Sequence, residues 1–153
     1  MIATIAALVL CFAPPFEAVV VSVYDGDTIT VRTTETIKIR LHGIDAPESK
    51  QPFGQASKQA MSGLVFGKKV TIKPDKKDRY GRTIARVETD GRDVSTTMVE
   101  TGMAHWYQQY AKHDTELQSA QSKAKSAKLG VWSVPDAIAP WEYRKQKRRQ
   151  QSE

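Results

Sequence analysis

The chain has 153 residues, 40% of them hydrophobic and 26% charged, and carries a formal net charge of +6 with a pI near 9.5. That length suits one domain with its own core, and a single cysteine excludes a disulfide framework. The positive balance favours a polyanionic partner, and the longest apolar run, residues 2–13, is too short to span a bilayer.

Residues 2–13 are apolar but for Thr4 and have the length of an export-signal core, although no Lys or Arg precedes them. The expected division is a signal peptide over 1–18, one domain over 19–133 and a basic extension over 134–153. Cleavage near Ala18 would remove Cys11, and with it all thiol chemistry, together with Glu17, the only charged side chain of that segment. The product would be secreted or periplasmic, monomeric, and without stable membrane association.

Residues 19–24 read as a strand running into the turn Asp25-Gly26-Asp27. Residues 29–32 and 37–41 alternate apolar and polar around a polar turn, which predicts two antiparallel strands. A helix is expected over 55–66, where Ala56, Ala60, Met61, Leu64 and Val65 recur at helical spacing before Gly67. Residues 69–73 alternate as a strand halted by Pro74, a charged loop covers 75–82, and 83–87 reads as a fifth strand. Asp90-Gly91 is a hairpin-type turn. A short helix over 94–101 carries Val94, Met98 and Val99 on one face, with Gly102 as its C-cap. A polar helix over 114–129 stops at Gly130. The tail from Pro140, ending in Arg144-Lys145-Gln146-Lys147-Arg148-Arg149, reads as disordered or a frayed helix. Five short strands with helices after the third and fifth do not suit a parallel α/β sheet. They fit a small Greek-key barrel, a type that often binds oligonucleotides on an open face.

The chemistry concentrates between Asp25 and Glu48. A hairpin brings the start of one strand beside the end of its partner, so Asp27, Asp45 and Arg40 should meet at one end. Carboxylates gathered beside an arginine are expensive to place unless a cation or an anionic ligand joins them. Taken singly, each has an ordinary reading as turn acid, loop acid or surface ion pair. A second landmark, Asp78-Arg79-Tyr80-Gly81-Arg82, stands immediately before the fifth strand.

Asp-Gly-Asp-Thr at 25–28, Arg-Leu-x-x-Ile-Asp-x-Pro-Glu at 40–48 and Asp-x-Tyr-Gly-Arg at 78–82, in that order, resemble the staphylococcal nuclease (thermonuclease) family over about 19–132. The resemblance implies an α+β, mainly β fold: a five-stranded OB-fold Greek-key barrel with three α-helices. It implies a secreted, calcium-dependent nuclease acting on DNA and RNA and leaving 3′-phosphates. Asp27 and Asp45 match calcium-binding carboxylates, and Ala46 matches a residue giving its backbone carbonyl to the metal; threonine stands there in the best-known member. Glu48 matches the general base for the attacking water, and Arg40 and Arg82 match the two arginines on the scissile phosphate. Arg79, a lysine in that member, and Tyr80 match substrate-binding positions near a terminal phosphate. Tyr107 and Tyr110 lie where two tyrosines border the base, although the spacing there differs. The loop over 48–55 is shorter than in that member. Residues 129–132 resemble the family's ending, and Pro140-Trp141-Glu142-Tyr143-Arg144 resembles an extension found in secreted bacterial relatives.

The residue types suit that chemistry. Calcium takes oxygen ligands, guanidinium forks match phosphate oxygens, and a glutamate can orient or deprotonate water. Asp25 and Asp78 read as turn acids. His42, His105 and His113 show no metal-ligand spacing, and Met98 and Met103 read as core. Trp106, Tyr107 and Tyr110 fit either a packing cluster or a stacking surface for bases. The basic tail fits a solvated segment or a set of phosphate contacts. The competing class is a barrel that holds nucleic acid without cutting it. Loss of the matched acids or arginines would favour that class, and none is lost.

Overall fold

The computed structural model describes residues 13–152, so residues 1–12 of the expected export signal, Cys11 among them, lie outside the described residues. Five strands build the barrel: β1 (Phe16–Val23), β2 (Thr28–Arg32), β3 (Thr36–Leu41), β5 (Lys69–Lys77) and β6 (Thr83–Thr89). Neighbours pair antiparallel in the order β3-β2-β1-β5-β6, and a parallel pairing of β6 with β3 closes the ring. Two short strands, β4 (Ile44–Asp45) and β8 (His105–Trp106), form a separate ladder, and β7 (Arg92–Asp93) completes a hairpin with β6.

Alternation explains the register. Ile29, Val31, Ile39, Leu41, Val70, Ile72, Ala85 and Val87 point inward and are fully buried or nearly so. Slipping β2 by one residue would turn Ile29 and Val31 outward at about 1.5–3 kcal/mol each. The register so fixed pairs Thr28 with Arg40, which sets Asp27 at the barrel end where β3 finishes.

Helix α1 (Gly54–Val65) buries Ser57, Met61 and Val65, four residues apart on one face. Helix α2 (Val94–Glu100) is capped by Asp93, whose side chain accepts from the Thr96 amide at 2.7 Å. Helix α3 (Thr115–Ser126) is capped by Asp114, which accepts from the Leu117 amide at 3.0 Å. The fold is therefore the mainly β OB barrel expected, with the Asp90-Gly91 turn in the β6–β7 hairpin.

Three expectations need correction. β1 begins at Phe16 rather than Val19, because Phe16, Glu17 and Ala18 already pair with Ile72, Thr71 and Val70 of β5. Pro74 does not halt β5. The β1 partner ends opposite Ile72, so beyond that point β5 is an edge on one side, and a bulge between Pro74 and Lys76 absorbs the missing N–H while pairing with β6 continues. The tail is neither disordered nor frayed: α4 (Pro140–Gln150) joins the three expected helices, with Pro140 in its first turn.

A candidate active site at the barrel rim

Each acid at the rim is held by its own local device. The Asp25 side chain accepts from the Asp27 amide at 3.0 Å and closes the turn. Gly26 leaves room for the neighbours of that turn; a Cβ there would lie 1.8 Å from Ser57 Oγ and 2.8 Å from the Ala46 Cβ. Asp27 Oδ1 accepts from Thr28 Oγ1 at 2.9 Å and Oδ2 from the Ala46 amide at 2.7 Å. Asp45 is fixed by the β4–β8 ladder, where it pairs with His105. Glu48 is clasped by Gln51, which donates its amide to the Glu48 carbonyl at 2.8 Å while its side-chain oxygen accepts from the Glu48 amide at 3.1 Å. A Cβ on Gly54 would meet that same carbonyl at 2.0 Å, so only glycine lets α1 start so close to Glu48.

The expected meeting of Asp27, Asp45 and Arg40 is present. Arg40 pairs with Asp27 through Nη1 and with Asp45 Oδ1 through Nη2 at 3.1 Å. Burial pulls the Arg40 pKa below its ordinary value, against the raising effect of Asp45 and Asp25. Burial likewise raises the pKa of Asp25, against the attraction of Arg40. Arg82 sits one residue before the parallel β3–β6 pairing, and its charge is felt at both Asp25 and Arg40. Asp78 holds it through Nε at 2.7 Å and also accepts from the amides of Tyr80 and Arg82. Those contacts outweigh burial and hold the Asp78 carboxyl below the usual range. Arg79 and Arg82 both lie over the exposed Tyr80 ring, with centroid distances of 4.8 and 5.5 Å.

The aromatic residues divide. Trp106 is core, its indole N–H donating to the Ala111 carbonyl at 2.9 Å. Tyr107 and Tyr110 meet edge to face at the rim, with Tyr110 exposed. His105 is buried edge-on against Trp132 and Trp141 and has no hydrogen-bond partner on either nitrogen among the described residues. Burial drives its pKa down to about 4, opposed by Asp45 and assisted by Lys125.

Three site residues escaped the sequence reading. Arg144, in the first turns of α4, reaches Asp45 Oδ2 at 2.7 Å, Asp45 Oδ1 at 3.2 Å and Glu48 Oε1 at 2.8 Å. Its hydrogen bonds to those two acids raise its pKa despite partial burial. Trp141 stacks nearly parallel on Tyr107, with centroids 5.1 Å apart. Gln51 donates to the Ile138 carbonyl at 2.6 Å and so ties the Glu48 loop to the segment leading into α4. A signal was there to find: a tail that only needs solvent has no use for Pro140, Trp141 and Tyr143.

Asp27 and Asp45 gather hard carboxylate oxygens, the donor type a divalent cation takes, although guanidinium charge occupies them here. Among the described residues no three His, Cys, Asp or Glu side chains form a metal-binding group, so a carbonyl and waters would complete any such shell. It is the Ala46 amide that faces Asp27 here.

A closed OB barrel with carboxylates and guanidiniums converging on one rim defines a protein built to handle phosphate esters. The family described as Staphylococcal nuclease homologue matches residues 38–134. A micrococcal nuclease of Shigella flexneri is 37% identical, covering 94% of this chain and 91% of that protein. Uncharacterized endonucleases of Escherichia coli O157:H7 and Haemophilus influenzae are 44% and 42% identical, covering 84% of this chain and 84% and 73% of theirs. The chain belongs to the staphylococcal nuclease family.

Proposed function

We propose that this nuclease hydrolyses phosphodiester bonds of DNA and RNA with little sequence specificity and in a calcium-dependent way. The observation that carries the reading is the convergence of Asp27 from the turn before β2, Arg40 from β3 and Asp45 from β4 beside the part-exposed Glu48. Asp27, Asp45 and the Ala46 carbonyl would hold calcium. When bound, calcium supplies the positive charge that steadies the phosphate and its attacking water.

The protein's own groups do the rest. Glu48 accepts the proton of the attacking water; its side chain is 41% exposed and so accessible to it. Arg40 and Arg82 grip the phosphate oxygens and stabilise the charge that builds on them. Among the described residues Arg82 is held through Nε, which leaves its Nη groups for the substrate. Arg79 and Tyr80 contact a terminal phosphate, and Tyr107 and Tyr110 border the base, stacking on any base because each has a π-face. The +6 charge draws the substrate in.

No described helix is long and apolar enough to cross a membrane. Export to the periplasm or medium as a monomer remains part of this proposal, with a signal peptide at the N-terminus. The pairing of β1 from Phe16 onward favours a cleavage point ahead of Phe16.

The test is incubation with single- and double-stranded DNA and RNA, after exhaustive chelation and then with calcium or magnesium restored. Cleavage of both polymers with calcium, leaving 3′-phosphates on end-labelled products, is expected. Magnesium should serve poorly because it demands a tighter octahedron and releases water reluctantly. Full activity in chelator, equal rescue by magnesium, or 5′-phosphate products would overturn this account.

A further inference from the structure

Arg144 is out of character for a surface ion pair. Its guanidinium engages both oxygens of Asp45, which is 1% exposed, and one oxygen of Glu48. It arrives from 99 and 96 residues along the chain. The approach is guided: Gln51 holds the Ile138 carbonyl, Pro140 is buried, and Trp141 lies flat on Tyr107. Beyond this docked start α4 is polar, and Pro140 is its only buried residue. The helix is thus held at its first turn, and the turns beyond it add no buried residue.

Asp45 is also an expected cation ligand, with Glu48 beside it. A guanidinium on both Asp45 oxygens and a divalent ion on the same oxygens would stand only a few ångströms apart, with like charges and one shared counter-charge. They cannot both have full use of Asp45. We infer that Arg144 is a built-in counter-cation of this site, competing with the divalent metal for Asp45 and Glu48 and leaving them when the metal binds. The inference rests on the calcium reading proposed above.

Linkage gives the competition a sign. Whatever Arg144 gains from the two acids in metal-free protein must be surrendered on loading, so its removal tightens metal binding. A merely structural arginine predicts the reverse, since losing it would loosen the acids and weaken the metal. The two roles separate by direction and not by size.

The experiment is calorimetric titration of the chelator-treated full chain with calcium chloride, for wild type, Arg144→Gln and Arg144→Lys. Arg144→Gln should bind calcium roughly tenfold more tightly, within the range usual for coupled sites. Arg144→Lys keeps the charge without the fork and should fall between. In wild-type protein, hydrogen-exchange protection over residues 140–150 should drop when calcium saturates the site. Calcium affinity equal to or weaker than wild type in both variants would overturn the inference and leave the nuclease reading intact, as would unchanged protection of 140–150. Absence of calcium binding to wild type and variants alike would sink the calcium reading and this inference with it.

Discussion

Asp45 is served by two arginines that the molecule holds in opposite ways. Arg40 is part of β3, in a register fixed by the barrel core, with its side chain 15% exposed between Asp27 and Asp45. Arg144 rides on a helix docked at one end, with its side chain 37% exposed. The contacts resemble each other on paper, yet their energetics differ. A charge among buried carboxylates has no solvent to fall back on, whereas a half-exposed one exchanges its partner for water at small cost. The barrel therefore holds its cation more firmly than the extension holds its own.

The largest expected effect tests that contrast directly. Arg40→Ala leaves Asp27 and the nearly inaccessible Asp45 without their shared counter-charge and should cost about 3–5 kcal/mol of stability. Arg144→Ala should cost less, because Arg40 still pairs with the buried Asp45 and the Arg144 side chain is itself 37% exposed. Urea denaturation of both variants in chelator measures the difference, and equal losses would erase the distinction drawn here.

His105 offers a second way to sharpen it, because it lies between the two regions, paired with Asp45 across the β4–β8 ladder and edge-on to Trp141 of α4. Its ordinary pKa of 6.5 falls to about 4 in the folded chain. Above pH 6.5 both the folded and unfolded states are neutral at this position, and its contribution does not vary. Between 6.5 and 4 the unfolded chain takes up a proton that the folded chain refuses, so stability falls as the pH drops. The loss should be roughly 2–3 kcal/mol by the bottom of that window. His105→Phe keeps an aromatic ring against Trp132 and Trp141 and should flatten this part of the profile. Denaturation midpoints at pH 7.5 and 4.5 in chelator decide it; equal acid sensitivity in wild type and variant would assign the effect to other groups.

Legibility in the sequence follows the same division. Strands β2 and β3 announce themselves because their apolar period is short and local, and the meeting of Asp27, Arg40 and Asp45 follows from a hairpin's geometry. The expected end of β5 at Pro74 misses because the tolerance of a proline depends on whether a partner strand stands opposite, which residues far along the chain decide. The helix over 140–150 misses for a related reason. Its mean composition is that of a solvated segment, and its few informative residues, Pro140, Trp141 and Arg144, gain meaning only from Gln51, Tyr107, Asp45 and Glu48 on distant elements. Ion pairs across nearly a hundred residues leave no periodicity to read.

The smallest expected effect belongs to the far end of α4, where Lys147, Arg148 and Arg149 are exposed. Deleting everything from Arg144 onward would confuse two questions, since it removes a site residue together with a basic surface. The surface is isolated by changing Lys147, Arg148 and Arg149 to Gln while Arg144 stays. Each phosphate these cations touch releases counterions, steepening the fall of log K with log salt by about 0.7–0.9. If the far end of the helix lies along the nucleic acid, the triple variant should show a salt slope shallower by about 1–2 units. Its calcium affinity and its turnover at saturating substrate should be unchanged, because none of the three residues pairs with the rim acids. The measurement is binding of a fluorescent single-stranded oligonucleotide in chelator, where cutting is suppressed, across 50–300 mM salt. An unchanged slope would mean that α4 contributes to this protein only at its docked end.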